Sequence, residues 1–113
     1  MIERGEVWWA VLVEPRGSEP GFRRPLVIVQ VEAFNRSRIR TVVCVVLSSN
    51  LRLADAPGNV VIGKRESGLP RDSVANVSQI VTVDRDVLTE RTGRLPALVR
   101  ERIDRGLRLI LGL

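Results

Sequence analysis

The run TVVCVVL at residues 41–47 constrains the fold more than any other segment of this chain. It is almost wholly apolar and rich in β-branched residues, which is typical of a strand buried on both faces. It is far shorter than the ~20 residues of a membrane-spanning helix. We therefore predict that residues 41–47 form a central strand of a sheet.

Other short apolar segments, separated by turn-forming residues, predict further strands around the central one. Residues 14–22 (EPRGSEPGF) hold two prolines and two glycines and predict a long loop or lid. Residues 84–93 are short and ambiguous. The predicted strands are residues 7–13, 25–31, 41–47, 59–62 and, as one strand or two, 73–83.

The end of the chain has a different pattern, with apolar residues at helical spacing. Pro96 suits a first helical turn, so we predict one amphipathic helix whose apolar stripe covers the sheet. The stripe is Leu95, Leu98, Val99, Ile103, Leu107, Ile110 and Leu111. These elements predict a mainly β fold with one C-terminal helix, a small bent sheet or barrel forming one domain over residues 1–113.

The composition limits the functions open to the chain. A formal net charge of +5 favours a polyanionic partner, such as nucleic acid or an acidic protein. Histidine is absent, so the chain lacks the residue that most often serves as a general acid or base and as a metal ligand. The single Cys44 excludes an intrachain disulfide and is expected to be a small buried apolar residue. The N-terminus does not resemble a signal peptide, so we expect a cytoplasmic protein.

Two arginines, Arg23 and Arg24, stand directly before Pro25 at the entrance of the second predicted strand. A buried guanidinium without a partner is costly, so an arginine there is either a solvated edge residue or part of a site. Five segments, which follow one another along the chain, help to decide between these two possibilities. They are RGEVWW, PRGSEPGFRRPLVIVQ, FNRS, VVLSSNLRLADAPGNV and GLPRDSVANVSQI.

The order and spacing of these motifs resemble the MazF/PemK family of toxin endoribonucleases over almost the whole chain. The resemblance implies a compact SH3-like β-barrel with short helices, one of them C-terminal, that works as a homodimer. It implies cleavage of single-stranded RNA at short sequences without a metal ion or other cofactor. It also implies a labile MazE-type antitoxin, acidic and partly disordered, as the inhibiting partner.

The resemblance also implies the site residues. Arg24 matches the family's catalytic arginine, Ser48 its catalytic hydroxyl residue, and Glu19 a carboxylate in the first long loop. Many members have threonine at the position of Ser48, and the adjacent Ser49 is an alternative carrier of the hydroxyl role. The RNA-binding candidates are Arg16, Ser18, Arg23, Ser49, Asn50, Arg52, Asn76 and Gln79.

These residue types fit RNA cleavage by the substrate's own 2′-OH. Arg24 can donate two parallel hydrogen bonds to a phosphate, but a guanidinium is a poor proton shuttle at neutral pH, so we read it first as a charge clamp. Ser48 would hydrogen-bond the phosphate. Glu19 is the candidate for the base or for the group that orients the arginine.

Several readings stay open on sequence grounds. One alternative function on the same fold is the poisoning of DNA gyrase, as in the related CcdB proteins. That activity depends on a tryptophan near the C-terminus, whereas this chain ends LRLILGL and has none there. A non-catalytic SH3-like binding module is the other rival. Trp8 and Trp9 face opposite ways on a strand and belong to the core, to an interface or to a base-stacking surface. Asn50 and Arg52 either form a turn or contact bases.

Overall fold

The computed structural model describes residues 1–13 and 22–113, and these form one curled antiparallel sheet with helices. The strand order is β4-β5-β3-β2-β1-β6. The strands are β1 Glu6–Val13, β2 Phe22–Ile28, β3 Thr41–Ser48, β4 Val60–Ile62, β5 Ser73–Asp84 and β6 Leu88–Arg94. The helices are α1 Glu32–Asn35, α2 Lys64–Ser67 and α3 Ala97–Leu111, with short 3-10 turns at Leu51–Asp55 and Arg85–Val87.

The predicted strands are confirmed, with β3 inside the sheet and β5 as one strand that carries a bulge opposite Val45 and Val46. Two details differ from expectation. Strand β2 runs over Phe22–Ile28 rather than residues 25–31, so both arginines lie within the strand and the last three predicted residues lie outside it. The ambiguous segment contains β6, which is polar in sequence and forms because it pairs with β1 over Glu6–Ala10.

Both faces of the sheet carry apolar clusters. On one face, Leu95 before α3 and Val99 and Ile103 of α3 pack against the sheet, all at most 3% exposed. The other face is lined by alternate residues of β1, β2 and β3, and partly buried side chains of β5 and β6 pack against it as the sheet curls. The tryptophans divide between the two faces: Trp8 packs with the second cluster and Trp9 with the first, as their alternation predicted.

The curl is secured where α2 reaches β6. The hydroxyl of Thr92 donates to the Ser67 carbonyl at 2.7 Å. Gly68 has φ +76°, and a Cβ there would lie 2.1 Å from the Thr92 carbonyl oxygen. The turn after α2 therefore needs a glycine, and the segment between β4 and β5 is held against the opposite edge strand.

The helical stripe covers the sheet only in part. Leu98, Ile110 and Leu111 are about half exposed or more, at 59%, 49% and 54%. Gly106 is in backbone contact with the turn at Gly58, and the last turn of α3 extends past that contact into solvent. The prediction that all seven apolar residues of the stripe pack on the sheet was wrong for these three.

Two of the sequence motifs are explained by packing. In RGEVWW, the buried Glu6 carboxylate accepts hydrogen bonds from the Glu3 N–H and the Trp8 indole and pairs with Arg91. In FNRS, Asn35 is 1% exposed and its amide donates to the Gln30 carbonyl and to Glu32. Glu6 and Asn35 therefore stabilise the fold and do not line the cleft described below.

Cys44 has no exposed surface, and burial raises the pKa of its thiol to about 12. A thiol in this state has almost no thiolate at neutral pH and reacts slowly. We expect a thiol reagent to leave Cys44 unmodified in the native protein and to modify it fully in denaturant. Mass spectrometry measures the modification, and rapid modification of Cys44 in the native protein would contradict its buried position.

Within the described ranges, no helix is both long and apolar enough to cross a membrane.

Candidate active site

The site lies at one end of the sheet, where β2 and β3 separate. Pairing between them runs over Leu26–Ile28, with Leu26 opposite Val46. Arg24 and Ser48 each stand two residues beyond this last pair, at the point where the two strands part. Pro25 lies between Arg24 and Leu26 in the chain. It has no N–H to donate to a strand ladder, so β2 and β3 are free to diverge there. Arg24 is fixed from its other side by pairing with Ala10 of β1.

A cleft of about 330 Å³ opens at this end of the sheet. Three segments that are distant in the sequence form its wall: β1–β2, the end of β3, and the turn that leads into β5. It is lined by Trp9, Arg23, Arg24, Pro25, Leu47, Ser48, Ser49, Leu69, Pro70, Arg71 and Ser73. Cationic, hydroxyl and aromatic groups thus face one volume, which suits a phosphate with an attached base.

The two arginines have different surroundings. The Arg23 guanidinium lies 4.6 Å from the centroid of the Trp9 ring and forms a 2.9 Å ion pair with Glu90. The Arg24 guanidinium lies 5.3 Å from the centroid of the Phe22 ring. Among the ion pairs of the described residues none includes Arg24. Arg23 is therefore tied to β1 and β6, whereas Arg24 lines the cleft without a partner among these ion pairs.

The Ser48 hydroxyl is oriented by its own backbone turn. Its oxygen accepts the Asn50 N–H at 3.1 Å. A hydroxyl that accepts in this way keeps its hydrogen to donate, here toward a ligand in the cleft. Ser49 also lines the cleft but is exposed, and no such bond fixes it among the described contacts.

The remaining candidates lie elsewhere or outside the described residues. Asn50 accepts the Arg52 N–H and so caps the 3-10 turn after β3. Asn76 and Gln79 hydrogen-bond to each other at 3.0 Å on the β5 bulge, away from the walls of the cleft. Glu19, Arg16 and Ser18 lie outside the described residues.

The sequence did not predict Arg71 as a residue that lines the cleft. It also left open whether Trp9 belongs to the core, to an interface or to a base-stacking surface. Arg71 belongs to a segment read as a turn, yet the start of β5 pairs with both β3 and β4 and carries that turn to the cleft. Its proximity depends on strand order, and no local signal marks it. For Trp9 the alternation was a usable signal, since Trp9 shares a face with Leu47 of the first cluster.

A second groove of about 410 Å³ lies between α3 and the turn before β4, lined in part by Val61, Arg102, Arg105 and Leu109. It is larger than the cleft, but it lacks the adjacent arginine and hydroxyl pair. Among the described residues, no group of three or more His, Cys, Asp or Glu side chains is placed to hold a metal ion.

Comparison with known proteins agrees with the motifs. The family model described as "PemK-like, MazF-like toxin of type II toxin-antitoxin system" matches residues 3–111. Endoribonuclease MazF6 of Mycobacterium tuberculosis (strain H37Rv) is 46% identical over 113 residues, covering 100% of this chain and 99% of the relative. Endoribonuclease EndoA of Bacillus subtilis (strain 168) is 31% identical, with 100% and 97% covered.

The fold is matched by solved structures. One is an endoribonuclease in complex with its cognate antitoxin from Mycobacterial species, with a TM-score of 0.80 and 27% identity over 100% of this chain and 97% of that chain. The resemblance drawn from the order of the motifs is thereby confirmed. The chain belongs to the PemK-like, MazF-like family of toxins of type II toxin–antitoxin systems.

Proposed function

We propose that this toxin is an endoribonuclease that cleaves single-stranded RNA in the cleft between β2 and β3. The observation that carries the proposal is that Arg24 and Ser48 line the same cleft, at the end of the sheet where β2 and β3 stop pairing. The membership of the family and the activity named for its relatives support the same reading.

The reaction needs no external nucleophile. The ribose 2′-oxygen attacks the adjacent phosphorus, a bond forms between them, and the bond from phosphorus to the 5′-oxygen breaks. The 2′-OH loses a proton and the leaving 5′-oxygen gains one, so the products carry a 2′,3′-cyclic phosphate and a 5′-hydroxyl. The protein has to hold the reacting groups in line and stabilise the charge that builds on the phosphoryl oxygens.

Arg24 and Ser48 supply the stabilisation. The guanidinium offers a planar fork of donors that matches two phosphate oxygens, and it stays charged at neutral pH. The Ser48 hydroxyl, held by the Asn50 N–H, donates a further hydrogen bond. Both groups act as fixed donors whose bonds strengthen as negative charge develops, which is how such groups lower a barrier.

Glu19 is the proposed base or the group that orients Arg24, and Trp9 is the proposed stacking surface. The Trp9 ring has Arg23 near one face, an arrangement that holds the ring in a defined position. A base resting against an aromatic ring gains affinity with little dependence on sequence. Arg16, Ser18, Ser49, Asn50, Arg52, Asn76 and Gln79 are kept as proposed RNA contacts.

Incubation of the purified protein with mixed-sequence RNA in the presence of EDTA tests the proposal. We expect discrete fragments, because the mechanism uses the RNA's own hydroxyl. A strict requirement for Mg²⁺ would contradict the proposed chemistry. The same assay separates the rivals, since a gyrase poison or a binding module would leave the RNA intact.

We further propose that the toxin is a homodimer that acts in the cytoplasm and is inhibited by an acidic, partly disordered antitoxin. The relative solved with its cognate antitoxin and the net charge of +5 support this. Exposed Leu109, Ile110 and Leu113 at the end of α3 add apolar surface of the kind that partners cover.

Light scattering of the isolated protein measures the oligomeric state. We expect twice the mass of one chain. In a separate binding competition, we expect antitoxin and RNA to exclude each other. The contrary findings would be a monomer that still cuts RNA, or a ternary complex of toxin, antitoxin and intact RNA.

A further inference from the structure

A pocket of about 290 Å³ adjoins the cleft on the side of α2. We call it the outer pocket. It shares three lining residues with the cleft, Ser49, Pro70 and Arg71, so the two volumes are neighbours with part of their walls in common. The complete lining is Ser49, Leu51, Lys64, Pro70, Arg71 and Asp72.

The strand register explains why this pocket lies beside the cleft. Ile62, at the end of β4, pairs with Ser73 at the start of β5. Lys64 follows Ile62 by two residues and Arg71 precedes Ser73 by two, so the two cations leave the same end of the sheet. The Asp72 carboxylate accepts the Lys64 backbone N–H at 2.9 Å, which ties the two segments together.

The polar groups of the outer pocket fit an anion better than a cation. Lys64 and Arg71 are both exposed, and neither takes part in the ion pairs of the described residues. Asp72 is the single acidic residue of the lining, and one of its oxygens is occupied by the backbone bond. The Ser49 hydroxyl adds a donor, while Leu51, 51% exposed, offers an apolar surface.

We propose that the outer pocket binds the phosphate of a neighbouring nucleotide of the RNA strand whose scissile phosphate lies at Arg24. Lys64 and Arg71 contact this second phosphate, and Leu51 and Pro70 pack against its ribose or base. Arg71 lines both volumes and holds the strand between them. This inference rests on the proposed function, because the strand that enters the outer pocket is the substrate of the cleft.

Neighbouring Lys64 and Arg65 give a matched pair of variants. Both are exposed residues of α2, but Arg65 lies outside the lining of the outer pocket. Lys64→Gln and Arg65→Gln change the net charge equally and leave the proposed reacting groups untouched. The ligand is an RNA that carries a mapped cleavage site and a 2′-deoxyribose at the attacked nucleotide, so that it binds without being cut.

We expect Lys64→Gln to weaken binding by roughly threefold to tenfold, as one charge-assisted contact is lost. The dependence of log Kd on log salt should fall by about 0.7, the value for one phosphate on a single strand. Arg65→Gln should match the wild type in both measurements. Equal behaviour of the two variants would overturn the proposal.

Lys64 is the only lysine of the chain, which allows a direct footprint. An amine-acylating reagent modifies Lys64 and the terminal amino group, and mass spectrometry reads both. Bound RNA should slow acylation of Lys64 and leave the terminal amine unaffected. Protection by an acidic peptide but not by RNA would show a protein-binding pocket instead and would overturn the proposal.

The outcomes separate the inference from the proposed function. If the wild-type protein does not cut RNA, both fail. If it cuts RNA while Lys64 is neither protected nor needed for binding, the outer pocket alone is wrongly assigned.

Discussion

Replacing Arg24 by alanine is expected to lower the rate of RNA cleavage by roughly a hundred- to a thousand-fold. Arg24 lines the same cleft as Ser48, so its loss removes the charge that we propose meets the phosphoryl oxygens. The side chain is partly exposed and packs on Phe22, and its removal leaves no buried group without a partner. Single-turnover cleavage of a mapped RNA measures the effect, and circular dichroism with light scattering verifies the fold and assembly.

Three further variants make the result specific. Arg65→Ala removes the same charge outside the cleft and should cut at nearly the wild-type rate. Ser48→Ala should be impaired more than Ser49→Ala, because the Asn50 N–H orients only the Ser48 hydroxyl. Near-normal cleavage by Arg24→Ala would refute the site. A larger loss in Ser49→Ala would move the hydroxyl role to Ser49.

Replacing Gly106 by alanine is expected to destabilise the protein strongly. A Cβ at Gly106 would lie 2.1 Å from the Gly58 carbonyl oxygen and 3.0 Å from Val77. The obstructing atom belongs to the backbone, so α3 would have to move away from the sheet. Overpacking of this kind costs about 3 kcal/mol, and the better helix propensity of alanine recovers only about 1 kcal/mol.

The net loss of about 2 kcal/mol should lower Tm by roughly 8 °C or more in thermal unfolding. Gly63→Ala is the matched control, because a Cβ there meets only the Glu66 side chain at 3.4 Å and φ is −67°. That variant should lose about 1 kcal/mol at most. If Gly106→Ala unfolded at the wild-type temperature, the close contact between α3 and the Gly58 turn would be wrong.

Local patterns were sufficient for much of the fold. The apolar runs in β1 and β3 and the helical spacing in α3 each bury a face, and burial is what such a pattern records. Strand β6 carries no such pattern, since its residues are half-buried or exposed and it exists through pairing with β1. The exposed end of α3 was missed because helical spacing does not show where the supporting sheet ends.

The site was only partly predictable for a related reason. Arg24 and Ser48 were predicted through family motifs, and both line the cleft. Trp9 and Arg71 reach the same cleft through the order of strands, which no short segment encodes. A recognisable motif, in turn, need not belong to the site. The asparagine of FNRS is buried and joins Gln30 to Glu32.

The chemistry of the cut ends tests the central claim most directly. An RNA with a mapped cleavage site is digested in EDTA beside the same RNA carrying one deoxyribose immediately 5′ to the scissile phosphate. We predict a 2′,3′-cyclic phosphate and a 5′-hydroxyl from the first RNA, and no cut at that position in the second. Products with 5′-phosphate ends, or cleavage of the deoxy-substituted RNA at the same bond, would contradict the attack of the 2′-OH in the cleft between β2 and β3.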